Sequence, residues 1–405
     1  MKPAAAAITT SHAVKIALDA RYVQEHFPGI GRYVYGLVKG LAAIEQPALD
    51  FELTLIYNPA LPNRRHNLPE LVAKYPARLK LLETSARPFS LGEQWQLAAL
   101  ARPFELWHAP YYIRPYFLPC PSVLTIHDVI AARIPDALPS RKARFLFNVA
   151  TRLALLTSPH LIAISQAARQ DIIKLYKVPP AKIQAIPLAV DEQFRPFSEI
   201  EKSEARTRLN LPPNYLLYVG INKPHKNLAR LLEAFKLFQE HTSSQTVLIL
   251  AGREDPRYAP ALHQQTARLG LEKAVRFWGE VSERDLPALY ACADLFVFPS
   301  LYEGFGLPIL EAMASGLPVA CADNSSLPEV AGEATLLFPA ENVRAIADRM
   351  TQANQNLALR HELRQKGLER SRLFTWQRTA ERTLEVYGQI ITKSPSLIRK
   401  GEQDN

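Results

Sequence analysis

Short apolar runs alternate with helical patterns along almost the whole chain, and this rhythm limits the fold more than any other feature. Strand-like runs fall at 14–18 (VKIAL), 51–57 (FELTLIY), 79–82, 105–108, 122–126 (SVLTI), 160–164 (HLIAI) and 183–186. Helical stretches lie between them at 30–44, 92–101, 139–156 and 165–177. Such alternation predicts parallel strands joined by crossover helices. The segment 191–214 (DEQFRPFSEIEKSEARTRLNLPPN) breaks the rhythm with charge and proline, as a join between domains does. The rhythm then restarts, with strands at 215–219, 246–250, 274–278, 295–298, 318–321 and 335–338 and helices near 226–241, 258–269, 283–292, 307–315 and 341–354. Beyond 355 the chain reads as helical to about 391.

The expected architecture is therefore two α/β, doubly wound, Rossmann-like domains, which suits 405 residues better than a single core. The divisions are 14–198, 199–374, a final helix at 375–391 and a solvated tail at 392–405.

Composition narrows the class of partner. The net charge of +9 favours anions such as nucleotide phosphates or an anionic membrane face. Nucleic acid has only that charge to recommend it, with no binding motif behind it. Cys120, Cys292 and Cys321 are far apart and form no CxxC pair, which points to a reducing compartment without a zinc cluster. MKPAAAAITTS is not patterned as a signal peptide, and no uninterrupted apolar stretch is long enough to span a bilayer, so a cytoplasmic protein is expected. The basic helix at 139–156 mixes Arg141, Lys142 and Arg144 with Phe145, Leu146 and Phe147. It either lies on anionic lipid or packs as a solvated helix on its sheet.

Chemistry concentrates in SLYEGFGLPILEAMASG at 300–316. A buried strand precedes it, Pro308 suits the first turn of a helix, and Gly316 suits its end. Gly304 and Gly306 allow a ligand to approach the backbone, leaving the amides of Phe305, Gly306 and Leu307 at a helix N-terminus where an anion can bind. Glu311 lies about one turn further in, within reach of a ribose, and Glu303 stands ahead of the helix, within reach of a second polyhydroxyl group. A nucleoside diphosphate joined to a sugar accounts for both acids, whereas in isolation two glutamates at this spacing are most often surface charges. His127 follows SVLTI at a carboxyl strand end, His108 ends its neighbour, and Tyr111 and Tyr112 come next. Lys226 opens a helical pattern in KPHKNLARLLEAF, where a lysine is more often simply solvated.

The segment PSLYEGFGLPILEAMASGLPV resembles the E-x7-E signature of retaining glycosyltransferases of the GT-B fold, specifically glycosyltransferase family 4. GIGRYVYGL at 29–37, TIHDVIA at 125–131, VGINKPHKN at 219–227 and NSSLPEVAG at 324–332 resemble further segments of that family, so the likeness spans about 14–390. The resemblance implies two domains facing a central cleft, the C-terminal one holding a nucleotide-sugar, the N-terminal one an acceptor, and the last helix crossing back. It implies catalytic roles for His127, Lys226 and Glu303. Gly29 and Gly31 would form a donor-phosphate loop. Val281 would lie near the base, the amides of Phe305 to Leu307 near the phosphates, and Glu311 near the ribose. His108, Tyr111, Tyr112, Lys223 and His225 are further cleft or acceptor candidates, with His225 standing where the family usually has arginine.

The implied activity is retaining hexosyl transfer to a glycan or lipid-linked glycan in bacterial polysaccharide or lipopolysaccharide synthesis, with no metal required. GDP-mannose is the favoured donor and a UDP-hexose the alternative. A sugar-nucleotide epimerase or a non-catalytic nucleotide-sugar-binding protein would keep the fold and change the class. A dinucleotide-dependent dehydrogenase fits poorly, because GIGRYVYG is not GxGxxG and the second strand ends in YNP without an acid. No GxxxxGK[ST] is present for a P-loop nucleotidase.

Overall fold

The computed structural model describes residues 12–134, 140–242 and 245–393. Two compact units emerge, one formed by 1–188 with 375–405 and the other by 189–374.

In the first unit the strands are β1 (Val14–Asp19), β2 (Phe51–Tyr57), β3 (Leu79–Glu83), β4 (Leu106–Ala109), β5 (Ser122–Ile126), β6 (His160–Ala163) and β7 (Ile183–Ala185). They pair in parallel in the order β3-β2-β1-β4-β5-β6-β7. Its helices are α1 (Pro28–Ala42), α2 (Leu68–Lys74), α3 (Glu93–Leu100), α4 (Ile130–Arg133), α5 (Arg141–Thr157) and α6 (Gln166–Tyr176).

The second unit contains α7 (Glu199–Leu209), α8 (Leu228–Thr242), α9 (Ala259–Arg268), α10 (Leu286–Cys292), α11 (Leu307–Ala314), α12 (Leu327–Ala331), α13 (Val343–Gln355) and α14 (Leu357–Ser371). Its strands are β8 (Tyr215–Val219), β9 (Val247–Ala251), β10 (Val275–Gly279), β11 (Leu295–Phe298), β12 (Val319–Ala322) and β13 (Thr335–Phe338). They too are parallel, in the order β10-β9-β8-β11-β12-β13. Strands covered on both faces by helices are mostly apolar, and β5, β11 and β12 are buried along their whole length. Strand order reverses between β1 and β4 in one sheet and between β8 and β11 in the other, so both units are doubly wound.

α15 (Trp376–Thr392) belongs to the first unit. It packs along α1 because Gly36 and Gly40 leave room there: a Cβ on Gly36 would stand 2.1 Å from the Trp376 ring, and one on Gly40 would stand 2.4 Å from the Trp376 carbonyl oxygen. Thr379 donates to the Pro187 carbonyl (2.9 Å) and Arg382 to that of Ala185 (2.7 Å), fastening the helix beside β7.

Several details differ from the sequence-based expectation. The first crossing between units falls at Leu188/Ala189 instead of 198/199. The intervening residues pack with the second unit, where Phe194 meets Tyr290 edge-on and the Val190 amide donates to the Phe374 carbonyl. The helix expected from 226 starts at Leu228, because Pro224–Lys226 form a short 3-10 turn closed by Asn227 in the left-handed region (φ 62°). The helix expected over 355–391 is two, with a break at 372–375. Residue 139 of the basic helix, the N-terminal segment 1–11 and most of the expected tail lie outside the described residues.

Overpacking the α1–α15 seam should be costly. Gly36→Leu should lower stability by at least ~1–3 kcal/mol in urea unfolding, while Gly29→Ala, whose Cβ meets nothing within 4 Å, should change it little. Equal stabilities would contradict this account of the seam.

Candidate functional site

Parallel sheets covered on both faces present chemistry at their carboxyl ends, beside the point where strand order reverses. In the second unit that point lies between β8 and β11, and the loops leaving these two strands carry Lys226 and Glu303. Lys226 Nζ lies 2.5 Å from Glu303 Oε1, and the ammonium also stands 5.5 Å from the centre of the Phe298 ring. Both side chains of this pair are largely but not wholly enclosed.

Neighbouring loops hold the pair in position. The Leu301 amide donates to the His225 carbonyl (2.7 Å), and Asn227 Nδ2 donates to the carbonyls of Pro299 (3.0 Å) and Ala340 (2.7 Å). From the loop after β12, Ser325 Oγ accepts the Glu303 amide (3.0 Å), and Ser326 Oγ meets the carbonyls of Glu303 (3.1 Å) and Phe305 (2.8 Å). Gly306 precedes α11 at φ 105°, a conformation open to glycine, and a Cβ there would come within 2.8 Å of Leu327 Cδ2. The amides of Phe305, Gly306 and Leu307 donate to no backbone acceptor among the described residues, so they stand available at the helix N-terminus.

Glu311 is one turn into α11 and only 2% exposed, and its Oε2 accepts a hydrogen bond from the Tyr290 hydroxyl (2.8 Å). Tyr290, on α10, thereby orients the acid, and nothing in the sequence signals it. Val281 is half-buried just past the carboxyl end of β10, the edge strand on the β9 side of the sheet. Lys223 is half-buried ahead of the 224–226 turn. His225 is buried, and its pKa falls to about 4 through burial and the nearby charge of Lys226. Burial thus favours its neutral imidazole. Ser300, fully buried at the end of β11, has a hydroxyl with no hydrogen-bond partner among the described residues.

In the first unit, His127 follows the carboxyl end of β5. Its Nε2 lies 3.0 Å from the Pro110 carbonyl oxygen, which can only accept, so the proton is on Nε2. Tyr33 meets the imidazole edge-on at 5.0 Å between ring centres, and burial lowers the His127 pKa to about 4.

His108 is not open to a ligand, contrary to the expectation of a cleft residue. It is fully buried, Nδ1 pairs with the Tyr387 hydroxyl of α15 (2.6 Å), and Nε2 pairs with Thr125 Oγ1 (2.8 Å), which also meets the Tyr33 hydroxyl (2.9 Å). Tyr111 and Tyr112 are half-buried, with their hydroxyls bonded to each other. Tyr111 joins an aromatic cluster with Tyr22, Phe27 and Phe89. Gly29 and Gly31 lie in the first turn of α1 instead of a loop, because Pro28 presets the helical φ and the Gly31 amide donates to the Phe27 carbonyl (2.8 Å). Among the described residues there is no cluster of three or more metal-ligating side chains.

Two doubly wound units, with a lysine, a glutamate and a helix N-terminus gathered at a switch point, are the arrangement that the resemblance to GT-B glycosyltransferases implies. Residues 28–194 match the family model Glycosyltransferase Family 4, and residues 199–370 match Glycosyl transferases group 1. O-antigen chain mannosyltransferase B of Escherichia coli is 31% identical to this chain over 92% of it and 99% of that protein. O-antigen chain mannosyltransferase RfbU of Salmonella typhimurium is 33% identical over 50% of this chain and 52% of its own. HepE of Anabaena, solved in complex with UDP and glucose, has the same fold, with a TM-score of 0.73 at 21% identity over 93% of this chain and 99% of that one. The chain belongs to glycosyltransferase family 4 and is a glycosyltransferase.

The buried histidines make stability depend on pH. Burial lowers the pKa of His108 to about 3, and His127 and His225 sit near 4, all below the ordinary 6.5. Between about pH 6.5 and 4 the unfolded chain therefore binds more protons than the folded one, and stability falls as pH falls. Each histidine contributes up to about 1.4 kcal/mol per pH unit in that window. Urea unfolding at pH 7.0, 6.0 and 5.2 should show this decline, and His108→Gln should flatten it. An unchanged slope in the variant would mean that His108 is not held neutral.

Proposed function

We propose that this protein is a retaining mannosyltransferase that takes its sugar from GDP-mannose and extends a glycan or lipid-linked glycan in bacterial surface-polysaccharide synthesis. The observation that carries the reading is the Lys226–Glu303 pair beside the available amides of Phe305 to Leu307. Its sugar and acceptor class are supported by the names of the O-antigen mannosyltransferases that this chain resembles. A UDP-hexose is the second reading, favoured by the UDP in the related HepE structure.

On this reading the second unit binds the donor and the first the acceptor. The diphosphate lies on the N-terminus of α11, and Lys226 turns from Glu303 towards it. Glu303 then accepts hydrogen bonds from the sugar hydroxyls, Glu311 meets the ribose, and Val281 borders the base. The bond between the anomeric carbon and the β-phosphate oxygen breaks, and its electron pair stays with the phosphate. Lys226 and the three amides stabilise that charge, and because they are already oriented they need little rearrangement. The acceptor hydroxyl attacks the same face of the sugar and passes its proton to the departing phosphate. The His127 backbone carbonyl stabilises positive charge on the anomeric carbon, and its neutral ring is held by Pro110 and Tyr33. No metal takes part.

The same unit supplies a membrane face. α5 buries only Thr151, Ala154 and Leu155 and leaves Phe145 (67%), Leu146 (56%), Val149 (47%) and Leu156 (78%) exposed, with Arg141 and Lys142 at its start. Such an exposed stripe, with Arg152 among its apolar residues, supports the reading that the helix lies on anionic lipid from the cytoplasmic side. Among the described residues no helix is long and apolar enough to cross a membrane.

A thermal-shift panel of GDP, UDP, ADP and their sugar conjugates tests the donor. A ligand at 100 times its Kd should add about 2.7 kcal/mol to the folded state, with GDP-mannose expected to give the selective rise. A rise with UDP-sugars alone would move the assignment to the second reading, and no rise with any nucleotide would remove both. Lys226→Ala and Glu303→Ala should each lower kcat by two orders of magnitude or more, with folding checked by circular dichroism. Turnover like that of the wild type in either would overturn the roles given to the pair.

A further inference from the structure

Two cavities flank the turn that leads into the edge strand β7, and Lys182 lines both. One, of about 280 Å³, is polar and basic, with His160, Arg169, Lys182, Arg382, Gln184 and Gln389 in its wall. The other, of about 270 Å³, is mainly apolar, with Leu155, Leu156, Leu175, Tyr176, Val178 and Pro179 in its wall. No carboxylate lines either cavity among the described residues.

The positive charge here has little to balance it. Arg114 is fully buried, and its guanidinium donates to neutral acceptors: the Pro115 carbonyl (2.8 Å), Thr157 Oγ1 (2.8 Å) and Ser158 Oγ (2.7 Å). Its charge acts on Lys182, and those of Lys182 and Lys393 act on His160, lowering the pKa of each beyond what burial does. An anion in the basic cavity would meet Arg169, Lys182 and Arg382, which face no carboxylate in its wall among the described residues.

The cations are also held in place. Arg169 donates to the carbonyls of Ile183 (2.9 Å) and Pro180 (3.0 Å), Arg382 to that of Ala185 (2.7 Å), and Lys182 to that of Leu155 (2.5 Å). A guanidinium has five N–H donors, so each arginine keeps others for a ligand.

We propose that the two cavities form one binding site for a phosphate-bearing lipid. Its headgroup sits among Arg169, Lys182 and Arg382, and the start of its chain lies between Leu156, Leu175 and Val178. A free phosphate would need the basic cavity alone, and a neutral lipid only the apolar one. The pairing of the two across Lys182 favours a molecule with both parts. The exposed stripe of α5 ends at Leu156, in the wall of the apolar cavity, so the site continues the membrane face. It rests on that membrane reading and not on the identity of the donor. His160 opens β6, whereas His127 follows the far end of the parallel neighbour β5, so the lipid anchors the unit from the opposite ends of the strands and takes no part in sugar transfer.

The test is calorimetric titration of the full chain with dihexanoyl-phosphatidylglycerol, dihexanoyl-phosphatidylcholine and inorganic phosphate. The anionic lipid should bind at least tenfold more tightly than either of the others. Gln389→Glu places a carboxylate at the basic cavity without removing one of the arginine–carbonyl bonds, and Leu175→Asp does the same at the apolar one. Each should weaken binding of the anionic lipid tenfold or more while leaving the nucleotide-induced thermal shift intact. Equal binding of phosphatidylcholine, phosphate binding as tight as that of the lipid, or wild-type affinity in Gln389→Glu would overturn the site. Absence of any nucleotide shift in the wild-type chain would instead count against the donor readings, so that failure is distinguishable from failure of the lipid site.

Discussion

Every strand pair in both sheets is parallel, and that single constraint decides where this protein can do chemistry. A parallel sheet covered by helices has no open face, so only loops at strand ends can carry polar, reactive groups. Reversal of strand order then parts two neighbouring loops and leaves a crevice between them. Lys226 and Glu303 come from such neighbouring loops, and their closeness across residues far apart in sequence follows from the topology.

The groups at these ends differ in how their charge is managed. The lysine and glutamate neutralise one another at the rim, where either can change partner when a ligand arrives. Two histidines are kept neutral by their surroundings: in the first unit His127 presents a fixed tautomer to Pro110, and in the second His225 offers its backbone carbonyl to Leu301. The positive charge in the second unit's site thus comes from lysine and from amides already oriented by the fold. Such an arrangement is suited to holding a diphosphate while it gains charge.

Much of this could be read from the chain. Apolar runs separated by helical patterns located the strands of both units, and glycine and proline around the two glutamates located the turn before α11. Less legible were features set by contacts distant in sequence. Residues 189–198 looked like part of the first unit, yet Phe194 finds Tyr290, and no local pattern announces that. His108 ends its strand as His127 ends the next, and only the arrival of Tyr387 makes it a core residue. Gly29 and Gly31 suggested a loop, but the proline before them starts a helix there. Tyr290 behind Glu311, and the joining of two cavities at Lys182, depend on elements that meet only once the chain has folded.

The return of α15 to the first unit has a consequence for how the protein is made. The bond between His108 and Tyr387 spans 279 residues, and the glycine seam of α1 waits for Trp376. During synthesis the first half of the chain emerges early yet cannot close its core until α15 has followed the whole second unit out of the ribosome. The second unit, whose residues are contiguous, can fold in the meantime. The half that begins first is completed after the other, and until then the bare surface of α1 is one that a chaperone would have reason to cover.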